Sequence, residues 1–379
     1  MLVTIIIFIA VLSLLVFVHE LGHFIMARRS GMGVHEFGFG FPPRVVGLQK
    51  LDGKWRVVWR KQESSPKATI YSINAIPLGG FVKIMGEDND SADDPQSFTN
   101  KSFTARFFTL AAGVLMNVLT AWIIFSIGFM VGFPVAVNQL SDLPAGGRYT
   151  DQQILIGGVL PGSAAEAAGL AGSDIILSVD NQPISQISDL QDYIQANQGE
   201  ELVFEVKRLT ETLTIPVQTS LDTNLDEGIV GISMGYFGKL QYSLPKAFWH
   251  GAQTTIKQLG AIFKGLYNLF TSPGGFKQVG GPVLIAQYTG DAAEMGFSHL
   301  LAFIAFLSLN LAILNSLPIP ALDGGRMLFL IIEKLRGKPN NQTIEQYTNA
   351  IGFMVLLLLM AVITARDVWQ LESVKNLFG

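Results

Sequence analysis

The 379-residue chain has no cysteine. Disulfides are excluded, and so are thiolate metal ligands, so any metal site must be assembled from His, Asp or Glu. Charge is the second scarcity: Asp, Glu, Lys and Arg make up 15% of the residues, against about 25% in an average soluble chain. The net charge of -4 offers no basic surface and argues against nucleic acid as a partner. The remainder is apolar, with 49% hydrophobic residues and a mean hydropathy of +0.38. This composition points to a membrane protein.

Four segments are apolar enough to cross a bilayer, which takes about 17–25 helical residues. They run from Leu2 to about Ala27, from about Phe107 to Phe133, from about His299 to Leu317 and from about Thr348 to Thr364. A signal peptide is a poor reading of the first: no Lys or Arg precedes Arg28, and the run exceeds the usual apolar core of about 7–15 residues. From Arg28 to Arg106 there are twelve Lys/Arg against eight Asp/Glu, whereas from Val131 to Leu300 there are eight against sixteen. Basic residues beside span ends carry the orientation signal. Arg28, Arg29, Lys101 and Arg106 fall on one side, joined by Lys334, Arg336 and Lys338. Residues 28–106 and 333–347 are therefore expected in the cytoplasm, with 134–298 and both termini outside it.

The spacing divides the chain into a membrane core in two parts, 1–133 and 299–379, around an extracytoplasmic region, 134–238, and a connector, 239–298. Asp52-Gly53, between Val45–Leu51 and Lys54–Trp59, predicts a hairpin. A second β-like stretch covers Ala68–Ile84, where Pro77 favours an edge strand. Together they make a β-rich segment over about 37–86. The acidic tract Glu87–Asp94 reads as a solvated loop. Between about 151 and 220, short strands alternate with PGSAAEAAGL and DLQDYIQAN, the pattern of a small α+β module in which Ser163 and Gly169 cap a short helix. In the connector, Phe248, Ala252, Ile256, Leu259, Phe263 and Leu266 repeat at helical spacing, which predicts an amphipathic helix over about 245–270.

The chemistry concentrates at His19-Glu20-Leu21-Gly22-His23. On a helix the two imidazoles share a face and can reach one ion, and the adjacent glutamate can serve as general base. An ionisable group in mid-membrane costs about 2.5–3.5 kcal/mol, so such residues default to functional roles. Polar glue between helices would explain one such residue better than three. Catalytic zinc takes three protein ligands, so a third must come from elsewhere. His19 follows eighteen uncharged residues, about 27 Å of helix, which puts it towards the cytoplasmic end. Asp323, in NSLPIPALDGG, ends the third apolar segment on that same side. It can be the missing ligand, and an Asp-Gly turn or helix cap explains it equally well. Pro318 and Pro320 interrupt the third helix, and irregular backbone in a membrane belongs inside protein or beside a water-filled cavity.

HELGH in a first span joined to NSLPIPALDGG in a third resembles the site-2 protease family of intramembrane zinc metalloproteases, and most nearly its bacterial regulator-of-sigma-E branch. The resemblance implies Zn2+ held by His19, His23 and Asp323, with Glu20 as catalytic base. It implies substrate contacts at Asn315, Pro318 and Pro320, at Asn117 of a G-x-x-x-N pattern, and at Gly38, Phe39 and Gly40. The implied fold is a polytopic α-helical membrane protein with about four transmembrane helices and a cytoplasmic-side membrane re-entrant β element that engages unwound substrate. The module at about 151–220 resembles a circularly permuted PDZ domain, extracytoplasmic and able to take peptide or protein termini, although this branch often carries two. The expected activity is regulated intramembrane proteolysis of single-span membrane proteins, such as an anti-sigma factor or a remnant signal peptide, in the inner membrane. Two other classes stay open: a non-enzymatic scaffold, and a metal transporter, against which four spans without an inverted repeat count.

Overall fold

The structure, a computed structural model, describes residues 2–59, 68–87, 93–219, 230–272 and 279–370. Most of the acidic tract expected as a solvated loop, residues 88–92, lies outside them. Among the described residues, four helices are long and apolar enough to cross a membrane: α1 (Leu2–Arg29), α2 (Phe103–Val131), α7 (Phe297–Ser316) and α9 (Gln342–Gln370). The last is much longer than the expected 348–364. Its polar first turn is carried by Asn341, whose Oδ1 accepts the N–H groups of Thr343 and Ile344. The described residues form two compact units, one of residues 1–124, 253–290 and 303–379, the other of 125–252 and 291–302.

In the first unit the turn after α1 leads into β1 (Val34–Leu51), followed by β2 (Lys54–Trp59) and β3 (Ile70–Ile84), in the sheet order β2-β1-β3. The hairpin is as the sequence predicts, with Leu51 opposite Lys54 and positive φ at both Asp52 and Gly53. β1 and β3 are both bent. As a result Gly38 and Phe39 face Ser72 and Ile73 on one side and Phe81 and Gly80 on the other. β3 is an edge strand, as Pro77 requires. Helix α8 (Asp323–Arg336) follows α7 through residues 317–322. Bidentate pairing of Arg106 with Glu333 ties α8 to α2, and an Arg326–Glu87 ion pair ties it to the segment after β3. Most of the amphipathic helix α5 (Leu244–Thr271) and of the short helix α6 (Pro282–Glu294) belongs to this unit.

The second unit is built on a sheet of β4 (Phe133–Val137), β5 (Arg148–Val159), β6 (Ile175–Val179), β7 (Gln182–Pro183), β8 (Glu201–Arg208), β9 (Glu211–Gln218) and β10 (Ile232–Gln241). The order is β4-β10-β5-β6-β8-β9, with β7 on β6. The helices α3 (Ala164–Ala168) and α4 (Ile187–Ala196) complete it, around a core that includes Ile154, Ile176, Leu190, Phe204 and Val217. Ser163 caps α3 by accepting the Glu166 N–H, and Gly169 ends it at φ 86°. The sheet takes in more chain than 151–220: β10 inserts between β4 and β5, bringing in residues 133–137 and 232–241.

Candidate metal centre

Residues four apart on an α-helix stack on one face, and α1 is regular through residues 19–23. His19 and His23 are both buried, their rings edge-to-face at 4.8 Å. Asp323 arrives from the first turn of α8. The atoms His19 Nε2, His23 Nε2 and Asp323 Oδ2 form a triangle with edges of 3.1, 2.9 and 3.3 Å. Tetrahedral ligands at about 2.0–2.1 Å from zinc are separated by about 3.3 Å, so the triangle has the dimensions of three corners of a zinc site.

The outer nitrogens of the two rings are also engaged. His23 Nδ1–H donates to the Thr109 carbonyl at 2.8 Å, which leaves the Nε2 lone pair facing the centre. The Asn117 amide lies 3.1 Å from His19 Nδ1, and its Oδ1 is buried and otherwise unpartnered. With that oxygen turned to the ring, Nδ1–H has its acceptor and Nε2 again faces the centre. The residues therefore fit a zinc ion in donor type, spacing and tautomer.

Close approach of the helices makes this possible. A Cβ on Gly22 would overlap the backbone of Ala112, and a Cβ on Gly113 would overlap both imidazoles. Ser308 on α7 donates to the Asn117 carbonyl at 2.8 Å and joins a third helix to the pair. Between α7 and α8 the chain is tightly folded. Gly324 and Gly325 lie against the carbonyls of residues 316, 317 and 319, and Ala321 takes φ 76° with its N–H on Asn349 Oδ1 of α9.

Comparison with known proteins bears on what this centre does. The model of peptidase family M50 matches residues 7–62 and 58–359. The regulator of sigma-W protease RasP of Bacillus subtilis (strain 168) is 31% identical over 433 residues, covering 97% of this chain and 99% of its own. The zinc metalloprotease RasP of Geobacillus kaustophilus (strain HTA426) is 30% identical over 446 residues, covering 96% and 97%. The chain belongs to peptidase family M50, the site-2 protease family. It is a zinc metalloprotease, and the resemblance drawn from the two motifs is borne out.

Several residues of this M50 chain occupy places the sequence did not suggest. Asn117, expected to touch substrate, is fully buried behind His19, so its place is to orient that imidazole. Pro318 and Pro320 follow the third helix rather than interrupt it, since α7 ends at Ser316. Pro320 packs on Gly352 of α9. Gly38 and Phe39 lie between two strand arms, so their backbone groups are spent within the sheet and cannot pair with an added strand. Gly40, at φ 79°, accepts from the Asn74 side chain at 3.0 Å. Asn315 stands half-buried in the last turn of α7 with no side-chain hydrogen bond among the described residues. Glu20 accepts the Val82 N–H of β3 at 3.1 Å, a contact that no sequence signal announces.

Proposed function

We propose that this protease hydrolyses peptide bonds within the transmembrane segments of single-span membrane proteins, with zinc held by His19, His23 and Asp323 and with Glu20 as general base. The observation that carries the reading is the convergence of the half-buried Asp323 of α8 with His19 and His23, both buried on an apolar helix long enough to span a bilayer. Zinc at this centre would polarise the scissile carbonyl and acidify water. Glu20, next to His19, takes the proton as water attacks and passes it to the leaving amine. Asn315, whose side chain has no hydrogen-bond partner among the described residues, would hold the substrate strand or the reacting carbonyl.

A transmembrane helix hides its carbonyls in its own hydrogen bonds, so the substrate must unwind before it can be cut. The β1–β3 sheet is suited to hold the extended segment within the membrane: Val45, Leu48, Trp55, Trp59 and Ile73 are all exposed on it, an apolar surface that fits lipid better than water. We read it as the re-entrant element. The sheet of residues 133–241 we read as the extracytoplasmic PDZ-like domain. There β4 covers the outer edge of β10 only from Tyr236 to Leu240. Among the described residues no strand pairs with the outer edge of Ile232–Met234, where a peptide terminus would pair. By likeness to a regulator of sigma-W, an anti-sigma factor is the substrate class to try first.

The purified chain in detergent is expected to cut a single-span membrane substrate, to stop after chelation, and to recover with added zinc. Cleavage that survives chelation would count against the reading, as would activity confined to soluble peptides. Sidedness has its own test. Because native cysteine is absent, single cysteines at Asp52 and Asp180 are clean probes. An impermeant maleimide added to whole cells is expected to label the second and not the first, and the reverse pattern would invert the topology.

A further inference from the structure

The second arm of β3, Gly80 to Ile84, pairs with Phe39 to Val34 of β1, and its other edge has no strand partner among the described residues. In a ladder the N–H and C=O of alternate residues point to the same side. The Val82 N–H is directed to Glu20, away from β1, so Val82 and, two residues earlier, Gly80 present their backbone groups at the bare edge.

This edge is held in register with the metal centre by one face of α1. Ser13 Oγ donates to the Pro77 carbonyl at 2.6 Å and accepts the Gly79 N–H at 3.1 Å. Gly79 and Gly80 sit where a Cβ would press on Val16 and Phe17. Glu20 completes the row through Val82. Residues 13, 16, 17 and 20 form one helical stripe, and the next residues on that turn, His19 and His23, carry the ligand atoms. A strand that paired with Val82 would therefore be delivered beside the centre, but it would need the same N–H that Glu20 now takes.

We propose that the Val82 amide is a two-partner donor, holding the Glu20 carboxylate in the free protein and passing to a substrate carbonyl when an extended substrate pairs with β3, which releases Glu20 to the reaction. The inference rests on the function proposed above, with Glu20 as base. A single N–H cannot serve two acceptors at full strength, and a carboxylate is the stronger of the two. The exchange therefore has to be driven by the rest of the pairing, including the outward groups of Gly80. The consequence is coupling: the base is freed only when a strand lies across the edge, which limits idle hydrolysis of chain that has not been unwound.

The test uses the full-length, zinc-loaded protein with a single-span substrate, and replaces Val82 by its α-hydroxy analogue so that an ester oxygen stands where the N–H was. The expected result is a KM lowered several-fold, because the free protein no longer has to give up the stronger Val82–Glu20 bond when substrate pairs, with kcat unchanged or higher. Parental zinc content in the ester variant reports an intact centre. A fall in kcat, with or without a change in KM, would make the contact a fixed support of the base and overturn the proposal, as would no change in either. A second measurement does not need the ester. Among inactive proteins, Glu20→Ala should bind uncut substrate several-fold more tightly than Glu20→Gln, whose carbonyl still competes for the N–H, and equal affinities would overturn the handover. If the parent cleaves no single-span substrate the proposed function itself fails; where it does cleave, these readouts bear on the handover alone.

Discussion

Glu20→Gln is expected to keep its zinc and cut a single-span substrate about 100-fold to 10,000-fold more slowly, the range for losing a general base, whereas Asp323→Ala is expected to lose zinc and activity together. The glutamine side chain is close in size to the glutamate and still offers an oxygen to the Val82 N–H, so the packing of α1 on β3 is preserved. What disappears is the proton acceptor. Asp323 is a different case. It supplies one of the three corner atoms, and no other His, Asp or Glu among the described residues joins that group. Changes in residues that merely support a ligand weaken metal binding about 10–100-fold, so removal of a ligand should cost more than about 100-fold. Helix α8 should stay in place, because the pairs Arg106–Glu333 and Arg326–Glu87 hold it independently of Asp323. Metal content by mass spectrometry and cleavage on a gel read the two variants side by side. Undiminished cleavage by Glu20→Gln, or full zinc in Asp323→Ala, would remove the corresponding assignment.

The contrast between these two residues also marks how far the sequence can be read. His19, Glu20 and His23 are legible because their relation is local: one helix and one spacing fix which side chains share a face. The Asp52-Gly53 hairpin and the Ser163 and Gly169 caps are legible for the same reason. Asp323 lies 304 residues from His19, and only the order of spans and the position of basic flanks hinted that the two share a depth. Strand β10 left no usable signal, since its pairing to residues 133–137 and 148–159 is set by register across nearly a hundred intervening positions. Helix α8 escaped notice because its charged residues broke the apolar pattern by which membrane helices are found, although Arg326 and Glu333 are what anchor it. Asn117 was visible as a residue but not as a support for His19, because a G-x-x-x-N pattern says that helices approach without saying what lies between them. The Val82 amide could not be seen at all. Every residue but proline carries a backbone donor, and sequence does not say which one is left over at an edge.

Gly113→Ala is the prediction that tests the close approach itself. Alanine is an excellent helix former and as apolar as a membrane span requires, so neither insertion nor the helicity of α2 should suffer. In a loosely packed helix the change would be silent or mildly favourable. Here the added methyl would stand on His23 Nε2 and on the Cε1 and Nε2 of His19, the ring atoms that face the centre. Overpacking a core usually costs about 1–3 kcal/mol because neighbours can shift. These neighbours are poorly able to do so. Each imidazole is pinned from behind, His23 by the Thr109 carbonyl and His19 by the Asn117 amide, and α1 cannot retreat without drawing Ser13, Val16, Phe17 and Glu20 off β3. The outcome should be a folded, membrane-inserted protein whose zinc content and cleavage both fall by at least about 10-fold, within the range for disturbing ligand orientation. Gly260→Ala on α5 is the matched control, because a methyl there meets nothing within 4 Å and should leave both readouts unchanged. Parental zinc content in Gly113→Ala would mean that α1 and α2 can separate without disturbing the ligands, and the centre would then owe its geometry to the histidine spacing and α8 alone.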